Sequence, residues 1–168
     1  MEMNPESGIA ERLRAILEQG GDRQQQARLI VDELRAAGPY RWAGIYDVDL
    51  QRNIVANVAW SGPAAPTHPV FPTTKGLTSR AIGTHKTVNI GDVASDPDYL
   101  EALGTTRSEI IVPVLAENGS RVVGTIDIES DRPNAFDAAT QRMLEECAKT
   151  LRPFWSGLED RGLAGRSR

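Results

Sequence analysis

The side chains with chemistry to offer in this sequence are acids and aromatic rings set at strand spacing. Between Gly124 and Glu129, the residues Thr125, Asp127 and Glu129 alternate with Gly124, Ile126 and Ile128. A strand there carries one polar face and one apolar face. The same spacing puts Trp42, Gly44, Tyr46 and Val48 on one side of a second run, two large rings with polar tips beside a residue that leaves room. Two arrangements satisfy this pattern. In one, Asp127 and Glu129 lie on a solvated sheet face, offset by Arg107 or Arg121, while the rings fill core space. In the other, acids and rings meet in a pocket. Crowded carboxylates would there have raised pKa values unless a cation neutralised them, and an ammonium group is the natural partner. The rings would flank the rest of the ligand or stack on a second cationic group.

Nucleophilic and metal chemistry find less support. Cys147 is the single cysteine, which excludes an internal disulfide and a resolving thiol pair. It recurs with Leu144, Leu151 and Phe154 at helical spacing and reads as a buried core thiol. His68, His85 and Cys147 are far apart and in no ligand spacing, so no metal site is expected. Thr78 and Ser79 have no adjacent histidine base and no elbow motif, and read as caps of a helical turn. His68, between Pro66 and Pro69, reads as an exposed loop residue that at most closes a pocket. No cofactor is expected, and no residue is given a catalytic role.

The elements that must position these residues follow from hydrophobic period. Ile9, Leu13, Ile16 and Leu17 have helical spacing up to Gly20-Gly21. A second helix starts at Asp22, with Gln25 three residues on, and runs through Ala27, Ile30, Val31 and Leu34 to Gly38-Pro39. Trp42 to Val48 and Asn53 to Trp60 read as an antiparallel hairpin. Ser61 to Thr74 contains four prolines and is expected to be irregular. Gly76 to Gly83 gives one or two helical turns, Thr87 to Ile90 a short strand, and Gly91 to Arg107 a second long excursion. Ser108 to Leu115 and Arg121 to Glu129 form a hairpin across Asn118-Gly119, a pair that favours positive backbone angles. Asp137 caps a closing helix, which Pro153 bends or ends.

The chain has 168 residues, 40% of them hydrophobic, which suits one domain with one core. Its 19 basic and 23 acidic side chains give a net charge of -4 without long runs of either sign, and this favours neither nucleic acid nor an anionic membrane as partner. The first ten residues hold Glu2 and Glu6 and no apolar stretch, so a cytoplasmic location is the expectation.

Five segments, in this order and spacing, resemble a GAF domain: Trp42-Ala43-Gly44-Ile45-Tyr46, Lys75-Gly76-Leu77-Thr78, Ser108-Glu109-Ile110-Ile111-Val112-Pro113-Val114, Gly124-Thr125-Ile126-Asp127-Ile128-Glu129-Ser130 and Phe136-Asp137. Within that class the sequence is most similar to the free methionine-R-sulfoxide reductases. The resemblance implies an α+β fold: a GAF-like antiparallel sheet with N- and C-terminal helices on one face and a loop-covered ligand pocket on the other. The implied division is N-terminal helices over 1–40, the GAF domain over 41–156 and a flexible tail over 157–168. The implied pocket residues are Trp42, Tyr46, Glu109, Asp127 and Glu129, the last standing where the family usually has aspartate, one methylene shorter.

The reductases work through a nucleophilic cysteine and resolving cysteines. Their positions correspond to Thr78, to about Ala102 and to the neighbourhood of Thr67, and none is cysteine here. The expectation is therefore a non-catalytic sensor or signalling module that binds a small molecule, with a free amino acid or related amine as first candidate. It is expected to be a homodimer that hands its signal to a protein output partner. The competing readings are a diverged free methionine-R-sulfoxide reductase and a ligand-free dimerisation domain held by its terminal helices.

Overall fold

Residues 5–101 and 103–156 are described by the computed structural model; Ala102 and the expected tail at 157–168 lie outside them. Two helices come first, α1 (Pro5–Gln19) and α2 (Arg23–Ala36). Gly20 and Gly21 separate them with φ of 65° and 105°, a conformation that side chains resist. Asp22 then accepts a hydrogen bond from the Gln25 amide and caps α2.

Six antiparallel strands follow in the spatial order β3-β2-β1-β6-β5-β4. They are β1 (Trp42–Asp49), β2 (Ile54–Ser61), β3 (Val70–Phe71), β4 (Val88–Ile90), β5 (Ser108–Leu115) and β6 (Val122–Ser130). The helix α3 (Gly76–Thr84) precedes β4, a 3-10 turn (Val93–Ser95) lies between β4 and β5, and α4 (Ala138–Thr150), capped by Asp137, closes the sheet. The β5–β6 hairpin turns differently from the expectation. Only Gly119 has positive φ there, while the Asn118 side chain accepts from the amide and hydroxyl of Ser120. A four-residue loop built on the Gly119-to-Ala116 backbone bond needs one left-handed residue, not two.

Alternation then sorts the sheet. Ala43, Ile45, Ile110, Val112, Val114, Ile126 and Ile128 point to one side and form a continuous apolar core with α1, α2 and α4, into which Leu13, Ile30, Leu34, Leu144, Cys147 and Trp155 are packed. Arg23 ties this layer together: its guanidinium makes two hydrogen bonds to Asp47 at 2.7 and 3.1 Å and stacks over Phe154 at 4.3 Å.

One expectation is corrected. The proline-rich stretch 61–74 is not wholly irregular, because Val70 and Phe71 pair with Ala56 and Val55 as an edge strand. Pro69 and Pro72 bracket it, and an edge is where a sheet tolerates residues without an amide donor. The helical turns expected at 76–83 are present as the nine-residue helix α3, which packs through Leu77 and Ala81 on Ile111 and Val88. The second face is thus roofed by a helix as well as by loops.

Candidate functional site

The alternation that sends isoleucines to the core sends Glu109, Ile111, Thr125, Asp127 and Glu129 to the opposite face, beside Trp42 and Tyr46. Register fixes their neighbours. Glu109 lies directly across from Glu129 on β5 and β6; Trp42, Gly44 and Tyr46 on β1 lie across from Glu129, Asp127 and Thr125 on β6. One carboxylate oxygen from each of Glu109, Asp127 and Glu129 falls within 4.8 Å of the others. None of the three reaches solvent to any extent: they are 4%, 6% and 0% exposed. The solvated-face arrangement is therefore not the one adopted.

Hydrogen bonds satisfy only part of this cluster. Thr106 donates its hydroxyl to Glu129 Oε2 at 2.9 Å, and Glu109 and Asp127 are hydrogen-bonded to each other. Asp127 Oδ1, Glu129 Oε1 and Thr125 Oγ1 are buried without a partner. Burial pushes all three carboxyls up, and the negative neighbours add to it for Glu109 and Glu129. Asp127 is raised less, because Glu109 donates to it. The groups acting on these acids are other acids and one threonine, with no cation among them. The same negative field, added to burial, pushes the Tyr46 phenol well above its ordinary range.

The rings have different roles. Tyr46 lies 6.5 Å from Trp42 and 5.9 Å from Phe71, centroid to centroid, and it lines a small cavity with Glu109 and Asp127. Trp42 is fully buried, donates its indole N–H to the Ala64 carbonyl at 3.0 Å, and does not line the cavity. Its ring occupies the space over Gly44, where any Cβ would collide with it. The room expected beside that glycine is thus filled by the indole. Glu129 likewise sits behind the cavity wall, bonded to Thr106.

The roof joins residues that sequence reasoning did not single out to His68 and Thr78, which it did. Leu100 and Glu101 line the cavity from the loop before β5, and His68, exposed at its tip, lines it from the loop after β2. Gly76, Leu77 and Thr78, the first turn of α3, face the acids across the cavity. Gly76 has φ of 71°, and a side chain there would press on Leu100. Lys75 provides no side-chain cap, so the amides of this first turn, which have no intrahelical acceptors, remain available to a ligand. Thr78 is 5% exposed with its hydroxyl among the cavity walls, and Ser79 donates to the Gly76 carbonyl instead of capping the helix. Helical turns at 76–83 are expected from the sequence, but no periodicity marks Glu101 or Thr106, which stand in a loop.

One wall of the cavity is therefore a cluster of oxygen acceptors and the other a helix N-terminus. Three carboxylates carry six oxygens and can hold a cation, and His68 and His85 are not part of the cluster. Such oxygens also suit the N–H donors of a primary ammonium. No thiol lines the cavity: Cys147, the single cysteine, lies in the opposite core. Burial pushes that thiol up to about 12, far from the thiolate that attack on sulfur requires.

A six-stranded antiparallel sheet with this helix arrangement and this roofed cavity defines a GAF domain, and residues 22–152 match that family. The chain belongs to the GAF family. It is 27% identical over 133 residues to GAF domain-containing protein A of Dictyostelium discoideum, covering 78% of this chain and 81% of the relative. It is 31% identical over 111 residues to the free methionine-R-sulfoxide reductase of Saccharomyces cerevisiae, covering 66% of this chain and 60% of the relative. The free methionine-R-sulfoxide reductase of Neisseria meningitidis, solved in complex with its substrate, shares the fold with a TM-score of 0.80 at 24% identity over 96% of both chains. Among the described residues no helix is long and apolar enough to cross a membrane.

Proposed function

We propose that this protein is a GAF-type receptor for a small molecule with a primary ammonium group, a free amino acid foremost, and that it acts as a sensor rather than as a thiol reductase. The observation that carries the reading is the buried trio Glu109, Asp127 and Glu129 with two unpartnered carboxylate oxygens. Buried acceptors of this kind cost free energy until something donates to them. An ammonium supplies both the donors and the charge. In the same pose the α3 N-terminus suits the carboxylate of an amino acid, and Tyr46 and Phe71 flank its side chain. Glu109 and Asp127 hold the ammonium, Glu129 orients the cluster through Thr106, and Trp42 fixes the wall behind.

Similarity to enzymes that act on free methionine sulfoxide makes that molecule the first amino acid to try. Reduction by the thiol route needs a thiolate and a second thiol, and a single buried cysteine supplies neither.

The test is calorimetry and thermal unfolding against free amino acids and both methionine sulfoxide epimers. A ligand present at about 100 times its Kd adds about 2.7 kcal/mol to stability. Stabilisation that Asp127→Asn abolishes, without loss of the sulfoxide in the presence of dithiols, is the expected result. Turnover that survives Cys147→Ala would replace the receptor with an enzyme of different chemistry.

A further inference from the structure

On the helix-covered side of the sheet, far from the carboxylate trio, β4 covers only part of β5. It pairs with Glu109, Ile110 and Ile111 and stops at Val88, so β5 from Val112 to Leu115 has no strand beyond it among the described residues. Between this open edge and α4 runs a groove. Val112, Leu115 and Ala148 give it an apolar floor.

The rim is basic. Lys86, Lys149 and Arg152 stand around it against one acid, Glu145, a balance of 3 − 1 = +2 on a chain of net charge -4. Glu145, which accepts from the Thr87 hydroxyl at 2.8 Å and from the Gln141 amide at 3.0 Å, offsets only one of the three. Lys149 reaches Glu146 at 3.0 Å, but both side chains are exposed, and such pairs are weak. Arg152 Nε is buried without a hydrogen-bond partner. A guanidinium part-way into an apolar groove with an orphaned donor is unsatisfied until an acceptor arrives.

We infer that this groove is a docking surface for an acidic, apolar-bearing segment of a partner protein, held by its carboxylates on Lys86, Lys149 and Arg152 and by an apolar side chain on the Val112–Leu115 floor. The floor is wasted on a small inorganic anion, and three cations are few for a nucleic-acid backbone. A second copy of this chain would set one basic rim against the other across a two-fold axis. Pro113 removes an amide from the open edge, so side chains hold the segment and the sheet is not extended.

The inference is independent of what the carboxylate cavity binds. The full-length protein is used to select from a random peptide library, and the enriched peptides are synthesised with a fluorophore for anisotropy titration at low and high salt. Expected is a consensus with acidic and apolar positions whose affinity falls more than about tenfold in the double variant Lys86→Glu, Lys149→Glu, two exposed positions whose change leaves the circular dichroism spectrum intact. No enriched family, a consensus without acids, or affinity unchanged in the double variant overturns it. So does sedimentation showing that the double variant dissociates a wild-type dimer, since the occupant is then a second copy.

Discussion

The two faces of one sheet are built from alternate residues of the same strands, and they are opposite in kind. On the helix side Ile110, Ile126 and Ile128 meet Leu34, Leu144 and Trp155 in an apolar core. One residue away on each strand, Glu109, Asp127 and Glu129 are as deeply buried and are left with unpartnered oxygens. A carboxylate trio of this sort cannot stabilise a fold. It persists because the opposite face makes enough apolar contact to hold the register that crowds Glu109 against Glu129. Stability is thus made on one side of the sheet and expended on the other.

Truncation on the two faces is the strongest way to break that contrast. Ile126→Ala removes a fully buried side chain and is expected to lower stability by about 2–5 kcal/mol, read by urea denaturation. Asp127→Asn, the next residue on the same strand, removes a negative charge from a negative site and is expected to hold or raise stability without ligand. If the two variants lose stability alike, the acids are structural and the contrast is wrong.

A titration sharpens it. Burial raises the carboxyls in the folded protein, Glu129 to about 9 and Asp127 to about 6, while the unfolded chain keeps ordinary values near 4. Between those limits the folded state binds more protons than the unfolded one, so stability falls as pH rises. The ligand-free protein should accordingly be most stable in mild acid and lose stability steadily toward about pH 9. Glu129→Gln should flatten the upper part of that slope. An ammonium ligand reverses the sign, since it favours the ionised acids: affinity should rise with pH and binding should release protons, measurable by calorimetry in buffers of different ionisation enthalpy. Proton uptake on binding would mean that the ligand is not cationic at this cluster.

The sequence made the apolar face legible and the polar face only half so. Period-two alternation at Thr125, Asp127 and Glu129 showed that the acids share a side, but alternation is indifferent to which side is covered, so burial of the acids followed only once α3 and the long loops were placed over them. The same limit hid Thr106, Glu101 and the approach of α3 to the acids, since these positions depend on contacts between segments distant in the chain. Val70 and Phe71 were hidden for another reason: two residues between prolines are too short for a period, and pairing with Val55 and Ala56 alone makes them a strand. Trp42 was placed on the correct side and given the wrong neighbour, because whether a glycine is a vacancy or a seat for a ring is a question of packing.

The roof gives the smallest expected effect and the finest test. The loop between β4 and β5 is pinned to α3 by Arg80, which donates to Asp98 at 2.9 and 3.2 Å and also to Asp96, a cluster that holds the Asp96 carboxyl below its ordinary range and raises Arg80. These ion pairs are open to water, so Arg80→Ala is expected to change global stability by less than about 1 kcal/mol. Its effect should be local. Amide exchange should accelerate through the loop that carries Leu100, Leu103 and Thr106, while protection in β5, β6 and the helix layer stays as it was. With Thr106 less firmly seated on Glu129, water reaches the trio and the raised carboxyls move back toward ordinary values, so the pH slope of stability shrinks along with the loop protection. Faster exchange without a smaller slope would separate the roof from the burial of the acids, and would place their desolvation in the sheet and its flanking rings alone.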